Sequence, residues 1–246
     1  MKQAMVFAAG LGTRLKPLTD TTPKALVKVG GFALLEHNIC KLRDAGFERI
    51  VVNIHHFGEQ IIDFLDEHDN FGIDIRISDE REMLLDTGGG LKKAQHLFDP
   101  DSPILIHNVD ILSDAPLDTL IEASEKNNSA VLAISRRKSA SGRYLLFDRK
   151  KQLVGWTNEK TGEVRSPFDD ALNRAYLKVP FAGIHAFHPS LFQLMESWPE
   201  RFSIIDFYLR VCNQCQIKGM LSSFHLIDVG KLDSLTAAEQ FIADYL

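Results

Sequence analysis

The sequence predicts an α/β protein whose mixed, mostly parallel sheet is covered by helices on both faces. Short apolar runs alternate along the chain with amphipathic segments of helical period, which is the pattern of successive strand–helix units. Such alternation favours parallel strands joined by right-handed crossovers. A chain of 246 residues, 45% of them hydrophobic, is long enough to bury the core of one large domain.

The first half of the chain carries most of this alternation. Its strands are rich in Ile and Val, whereas its helices place their apolar residues three or four positions apart. The predicted strands are residues 5–9, 50–54, 73–77, 104–107 and 130–135. The predicted helices are residues 33–45, 58–67, 89–98 and 117–127.

The pattern changes after about residue 136. Two short apolar runs flank the charged residues 148–151, which predicts a hairpin, and the polar stretch 159–175 predicts a loop. Strands at 144–147, 152–156, 181–187, 217–221 and 224–229 and helices from Pro189 and over 231–245 complete the prediction. We therefore divide one compact domain into a half at residues 1–135 and a half at residues 136–246.

Composition and charge narrow the possible partners and compartment. The formal net charge of −5 argues against nucleic acid, because proteins that bind it usually carry a basic excess. Three cysteines cannot form a closed disulfide framework, which favours a reducing compartment. No apolar run approaches the ~18 residues of a membrane span. We expect a cytoplasmic protein with neither nucleic acid nor a membrane as its partner.

The loop after the first strand, residues 8–28, has the composition of a phosphate site. Its glycines let backbone N–H groups approach a ligand closely, its threonine offers a hydroxyl, and its cations can neutralise phosphate oxygens. The residues expected to act in this way are Ala8, Ala9, Gly10, Gly12, Thr13, Arg14 and Lys24.

Two other phosphate-binding motifs are excluded by spacing. The dinucleotide fingerprint G-x-G-x-x-G needs a third glycine, and Leu15 stands in its place. That fingerprint also leads directly into a helix, which Pro17 and Pro23 prevent here. The motif G-x-x-x-x-G-K-[S/T] does not occur. The loop instead suits a polyphosphate wrapped between two cationic arms.

Two aspartates follow predicted strands. Asp110 lies just past residues 104–107, and Asp228 lies at the end of the run that begins at residue 224. Ligands of open α/β sheets gather at the carboxyl ends of the strands, where two carboxylates could hold one Mg²⁺ against phosphate. The alternative is that each aspartate caps the helix that follows it.

Several motifs together resemble the sugar-1-phosphate nucleotidyltransferases. The family signature after the first strand is present as AAGLGTRLKPLT at residues 8–19 and PK at residues 23–24. The resemblance spans nearly the whole chain. It continues at residues 86–90 (DTGGG), 108–110 (NVD), 181–184 (FAGI) and 227–230 (IDVG).

The resemblance implies a Rossmann-like fold with a smaller acceptor-binding α/β part. It also implies an enzyme that transfers a nucleoside monophosphate from a nucleoside triphosphate to a sugar 1-phosphate and releases pyrophosphate. Residues 1–135 would bind the nucleotide and residues 136–246 the sugar phosphate. By the same resemblance, Arg14 and Lys24 are catalytic, and Asp110 and Asp228 hold Mg²⁺.

The family motifs also suggest contacts to base and sugar. On the nucleotide side they map to Glu80, Gly88 and Asn108, and on the sugar side to Glu159, Lys160 and Gly183. Two simpler interpretations stay open at this point. The glycines around residue 88 also suit a plain helix N-terminus, and residues 159–160 also suit an exposed charged loop.

The substrate pair is the least determined feature of the sequence. The short length and the DTGGG motif are most similar to family members that use UTP and N-acetylmuramate 1-phosphate in cell-wall recycling. Mannose or heptose 1-phosphate with GTP, and phosphocholine with CTP, are alternatives. Val109 replaces the usual glycine before the first metal aspartate, which invites a catalytically silent nucleotide-sugar sensor. We expect a monomer or small homo-oligomer.

Overall fold

A computed structural model describes all of residues 1–246. Its strands are β1 (Gln3–Phe7), β2 (Lys28–Val29), β3 (Phe32–Ala33), β4 (Arg49–Ile54), β5 (Asp74–Asp79), β6 (Ile104–Asn108), β7 (Ile111–Ser113), β8 (Ala130–Ile134), β9 (Arg143–Phe147), β10 (Leu153–Asn158), β11 (Glu163–Arg165), β12 (Leu177–Val179), β13 (Ile184–Phe187), β14 (Ile217–Leu221) and β15 (Leu226–Asp228). Its helices are α1 (Leu34–Asp44), α2 (Gly58–Glu67), α3 (Asp86–Ala94), α4 (Leu117–Asn127), α5 (Ala171–Arg174), α6 (Phe192–Met195), α7 (Ile204–Val211) and α8 (Leu235–Tyr245).

The central sheet has seven strands in the order β14-β8-β13-β6-β1-β4-β5. Neighbours pair in parallel except around β13, which runs antiparallel to both β6 and β8. The mixed, mostly parallel sheet predicted from the sequence is therefore confirmed. Because β13 and β14 come from the second half of the chain, both halves share this sheet, and the division at residue 135 stays a prediction.

The two faces of the sheet bury separate apolar cores. Along β1, Ala4 and Val6 face one core while Met5 and Phe7 face the other, as the two-residue period of a strand requires. Helices α1, α2, α4 and α8 cover the first face, and α3, α6 and α7 cover the second. Helices on both faces leave the carboxyl ends of the strands as the open edge of the molecule.

A smaller antiparallel sheet stands beside the central one, in the order β11-β10-β9-β12. The hairpin β9–β10 matches the hairpin predicted around the charged turn. The stretch 159–175, predicted to be a loop, contains β11 and the short helix α5. The sequence does not reveal these two elements, because the edge strand β11 buries no residue and α5 buries only Ala171, so neither produces an apolar pattern.

Other boundaries differ by a few residues from the sequence prediction. Helix α3 begins at Asp86 rather than at residue 89, so the glycines of DTGGG lie inside the helix rather than before it. Strand β13 begins at Ile184, because Gly183 has a left-handed backbone, φ +75°, that ends regular strand geometry. None of the helices is long and apolar enough to span a membrane.

Candidate active site

The two aspartates meet although they lie far apart in the chain. Asp110 follows β6, and β15 pairs antiparallel with β7 so that Asp228 stands opposite Ile111. The amide of Val229 donates to the carbonyl of Asp110 at 2.8 Å. This short pairing places both carboxylates at the carboxyl end of the central sheet.

Charges of both signs surround the aspartate pair. Lys24 forms an ion pair with Asp110, and their side chains are only 12% and 15% exposed. Asp228 stays open to solvent on one side, yet loss of water around it raises its pKa, and Asp110 raises that pKa further. Lys24 and Arg14 oppose this increase. The four predicted catalytic and metal-binding side chains therefore form one electrostatic unit.

Gly230 lies between Asp228 and Arg14. A Cβ atom built at Gly230 would stand 2.6 Å from Asp228 Oδ1 and 2.7 Å from Arg14 Nη2. Both distances are shorter than ordinary van der Waals contact, so a side chain would displace one or both charged groups. The absence of a side chain at this position lets the carboxylate and the guanidinium approach each other.

The phosphate loop folds into three short 3-10 turns instead of a helix. Gly12 has a left-handed backbone, φ +63°, and begins the first of these turns. A Cβ atom at Gly12 would stand 2.9 Å from Thr19 Cγ2 and 3.0 Å from Lys24 Cβ, so the loop is closely folded on itself. Thr13 and Arg14 remain exposed at the mouth of the site, where a ligand would meet them.

Val109, the departure from the family pattern, causes no distortion. Its φ is not positive, so the backbone here does not need glycine. Its side chain is 3% exposed within the first core, and its carbonyl accepts a hydrogen bond from Asn38 Nδ2 at 2.9 Å. Asp110 consequently reaches Lys24 from an ordinary backbone, which removes the structural reason to suspect a silent site.

Three of the predicted nucleotide-binding residues take part in a hydrogen-bond network inside the protein, and their contacts to a nucleotide stay predictions. The amides of Ala8 and Ala9 donate to Asn53 Oδ1, at 2.7 and 3.3 Å, so these two donors are used within the protein. Glu80 has no exposed surface, and it accepts from Asn53 Nδ2 at 2.7 Å and from the Leu85 amide at 3.0 Å. This buried network joins the start of the phosphate loop to the loop before α3.

The amide of Gly88 is also used within the protein. That amide donates to the carbonyl of Phe202 at 2.8 Å, and a Cβ atom at Gly88 would stand 2.3 Å from the Phe202 ring. Gly89 likewise lies against the backbone of Glu200, whose carbonyl oxygen would be 2.0 Å from its Cβ. This close packing agrees with the alternative that the sequence left open, glycines at a closely packed helix N-terminus, and the base contact of Gly88 stays a prediction.

A cleft of about 790 Å³ opens between the central sheet and the small sheet, and Arg14 and Asp228 both line it. Basic side chains outnumber acidic ones seven to three on its walls. They are Arg14, Arg137, Lys138, Arg143, Lys160, Arg165 and Lys231, against the acidic Glu163, Asp206 and Asp228. Of these cations only Arg165 forms a salt bridge, with Asp206 at 2.5 Å. The cleft therefore presents an excess of positive charge to an anionic ligand.

The predicted sugar contacts separate in the structure. Lys160 lines the cleft, and its Nζ donates to the Ala140 carbonyl at 2.9 Å. Glu159 points elsewhere, because its carboxylate is 2.6 Å from the Lys178 ammonium, and it does not line the cleft. Lys160 thus lies nearer the expected sugar position than Glu159 does, and the sugar contact of Glu159 stays a prediction.

Gly183 and Asn108 lie together between the two halves of the site. The amide of Asn108 donates to the Gly183 carbonyl at 2.9 Å. A Cβ atom at Gly183 would stand 2.9 Å from Asn108 Nδ2 and 2.9 Å from a methylene carbon of Ile111. With its positive φ, this position needs glycine both for its backbone angle and for this close approach.

Sequence reasoning missed three residues of this site. Asn53 is a polar residue inside an apolar strand, which was the available signal for its role in holding the loop. Gly230 sits in a recognised motif but was not assigned a role. Arg137 belongs to a basic run, Arg136 to Lys138, directly after strand β8, where ligand-binding residues are expected.

Asp110 and Asp228 suit a magnesium ion that is completed by substrate. Their carboxylates interact closely enough for Asp110 to raise the Asp228 pKa, so a cation between them would relieve unfavourable charge. No group of three or more His, Cys, Asp or Glu side chains is placed to hold a metal by itself. Mg²⁺ typically uses one or two carboxylates together with phosphate oxygens and water, which matches this pair.

The chain belongs to the nucleotidyl transferase family, whose model matches residues 3–245. It is 46% identical over 251 aligned positions to the N-acetylmuramate alpha-1-phosphate uridylyltransferase of Caulobacter vibrioides, covering 99% of this chain and 98% of that protein. It is 30% identical to the mannose-1-phosphate guanyltransferase of Yarrowia lipolytica, over 80% of this chain and 52% of that one.

Solved structures share the fold at lower sequence identity. A UDP-glucose pyrophosphorylase complexed with UDP-glucose superposes with a TM-score of 0.78 at 15% identity and covers 99% of both chains. These comparisons identify the chain as a sugar-1-phosphate nucleotidyltransferase with a Rossmann-like sheet, as the sequence motifs predicted.

Proposed function

We propose that this protein makes UDP-N-acetylmuramate and pyrophosphate from UTP and N-acetylmuramate 1-phosphate. The single observation that carries this assignment is the 46% identity to the Caulobacter vibrioides uridylyltransferase over nearly the full length of both proteins. The substrate pair named by that relative is the one that the length and the DTGGG motif of this chain favour. The guanylyltransferase alternative is supported by a more distant and partial match.

The charge of the acceptor cleft agrees with this substrate. N-acetylmuramate 1-phosphate carries a carboxylate besides its phosphate, whereas glucose or mannose 1-phosphate carries the phosphate alone. Four cations on the acceptor side of the cleft have no carboxylate partner within salt-bridge distance: Arg137, Lys138, Arg143 and Lys160. A wall of this kind favours an acceptor with two anionic groups over one with a single phosphate.

The reaction needs positioning and charge neutralisation rather than a protein nucleophile. An oxygen of the acceptor phosphate attacks the α-phosphorus of UTP, and the bond from that phosphorus to the β-phosphate oxygen breaks. Arg14 stabilises the charge that develops on the leaving pyrophosphate. Lys24 exchanges its partner Asp110 for phosphate oxygens. Gly10, Gly12 and Thr13 cradle the triphosphate at the mouth of the loop.

Asp110 and Asp228 would hold Mg²⁺ on this path. Bound there, the ion would act as a Lewis acid that neutralises the charge of the reacting phosphates. The chain's own residues prepare for it: β7 and β15 fix the carboxylates side by side, and Lys24 keeps Asp110 neutralised beforehand. We further propose that the protein acts in the cytoplasm, as a monomer or small homo-oligomer, in the recycling of cell-wall amino sugars.

A pyrophosphate-release screen tests the assignment. Four nucleoside triphosphates are combined with a panel of sugar 1-phosphates in the presence of Mg²⁺, and kcat/KM is compared across the pairs. We expect UTP with N-acetylmuramate 1-phosphate to have the highest value. A higher value for GTP with mannose 1-phosphate would contradict the proposed substrates. Tight binding of nucleotide sugars without any turnover would instead support the silent sensor.

A further inference from the structure

Arg137 is a cation of the acceptor cleft that has no role in the proposed mechanism. It follows the carboxyl end of β8 by three residues, on the edge of the central sheet where the aspartate pair also lies. Its guanidinium is half-buried and has no carboxylate within salt-bridge distance. Burying a charge without a counterion is costly, so its position calls for an explanation.

The residues around Arg137 fix the orientation of its guanidinium group. Nη2 donates to the carbonyl of Phe181 at 2.8 Å, two residues before Gly183. Nε is enclosed by protein and has no hydrogen-bond acceptor. The donors that remain belong to Nη1 and to the second hydrogen of Nη2, and Arg137 lines the cleft. The side chain is therefore oriented in advance and incompletely satisfied, as expected of a group that awaits an anion.

The position of Asp228 near Arg137 indicates which anion Arg137 binds. Burial lowers the pKa of the Arg137 guanidinium, and Asp228 is the one carboxylate whose charge acts against that decrease. The two groups lie near each other without forming an ion pair. The phosphate that attacks must also lie near Asp228, because that carboxylate is placed to hold the metal at the reacting phosphates. An acceptor phosphate would then lie between a cation and the proposed metal position.

From these contacts we infer that Arg137 binds the phosphate of the sugar 1-phosphate and holds it toward the α-phosphorus. This inference rests on the proposed function for the reaction type but not for the identity of the sugar. A guanidinium binds phosphate oxygens through two parallel N–H groups, which orients the attacking oxygen as well as attracting it. Lys138, Arg143 and Lys160 would then bind the carboxylate of the acceptor, which lies on another part of the sugar.

Substitution of Arg137 with a matched control tests the inference. Arg137→Gln should raise KM for the sugar 1-phosphate roughly 10- to 100-fold, the loss expected for a charge-assisted hydrogen bond, and change KM for the nucleotide less than about twofold. Arg136→Gln removes the same charge from the neighbouring exposed residue, which does not line the cleft, and should leave both constants unchanged. The acceptor used is whichever sugar 1-phosphate the wild-type protein turns over best.

Arg137→Lys separates binding from folding, because it keeps the charge and should recover part of the lost affinity. Thermal unfolding of each variant is measured alongside the kinetics. Inhibition constants for N-acetylglucosamine 1-phosphate and for N-acetylmuramate, compared between wild type and Arg137→Gln, then show whether Arg137 binds the phosphate or the carboxylate of the acceptor. The inference is supported if Arg137→Gln weakens inhibition by N-acetylglucosamine 1-phosphate but not inhibition by N-acetylmuramate.

Three results would overturn it: an equal rise of both KM values, an equal effect of Arg136→Gln, or weaker inhibition by N-acetylmuramate alone. Absence of turnover by the wild-type protein with every sugar 1-phosphate would count against the proposed function itself.

Discussion

Gly230 provides a test of whether the proximity of Asp228 and Arg14 matters for catalysis. In Gly230→Ala the new Cβ would stand 2.6 Å from Asp228 Oδ1 and 2.7 Å from Arg14 Nη2, whereas ordinary contact begins at 3.4 Å. The carboxylate must therefore withdraw by about 0.8 Å and the guanidinium by about 0.7 Å. Displacement of catalytic groups by about 1 Å typically costs ~10²-fold in rate, or about 2.7 kcal/mol of barrier.

The same change should leave the fold nearly unaffected. Both displaced atoms are the ends of side chains at the edge of the cleft, and Gly230 does not have a positive φ, so alanine is not strained there. We expect kcat/KM for pyrophosphate release to fall about 10²-fold, with a loss of less than about 1 kcal/mol in the free energy of unfolding. Steady-state kinetics and urea unfolding of the same preparation measure the two quantities.

Gly46→Ala is the matched control with the opposite expectation. Gly46 ends α1 with φ +77°, distant from the cleft, so alanine there should cost about 1 kcal/mol of stability and leave kcat/KM unchanged. Wild-type kcat/KM in Gly230→Ala would refute our account of the site. A large loss of stability in that variant would show instead that Gly230 has a role in folding.

Three further predictions concern stability. Gly89→Ala should unfold far more readily than wild type in a thermal melt, because its Cβ would stand 2.0 Å from a backbone carbonyl oxygen that cannot easily move; a melt like that of wild type would contradict this packing. Lys24→Met should lose about 3 kcal/mol in urea unfolding, because it leaves the largely buried Asp110 carboxylate beside Asp228 without its cation. The double variant with Asp110→Asn should regain much of this loss, and additive losses in the two single variants would exclude an interaction between Lys24 and Asp110. Burial lowers the pKa of His107 and of His185 to about 3, so only the unfolded chain takes up protons at these residues as pH falls below about 6.5. Each histidine should therefore lower the free energy of unfolding by about 1.4 kcal/mol between about pH 7.5 and about pH 5.5. His185→Phe should show a smaller loss of stability over this pH range, and an unchanged loss would refute the lowered pKa of His185.

The sequence by itself determined the fold class and the catalytic motifs of this protein. Alternating strand and helix periods follow from which residues must face water, and these patterns are local. The loop from Gly10 to Lys24 was identified because two prolines and a missing third glycine leave few other structures for that composition. Asp110 and Asp228 were predicted to lie together because parallel strands end at the same edge of a sheet. They do meet, but through the antiparallel pairing of β7 with β15 outside the central sheet.

Only the tertiary structure decided how these residues are used. Glu80 and Gly88 seemed suited to a base by their position in the chain, but packing against Asn53 and Phe202 uses their polar groups internally. The significance of Arg137 depends on Phe181 holding its guanidinium in a cleft without a counterion. Such contacts join residues distant in the chain, so burial and hydrogen bonding, which no local pattern encodes, determine which polar groups remain available to a ligand.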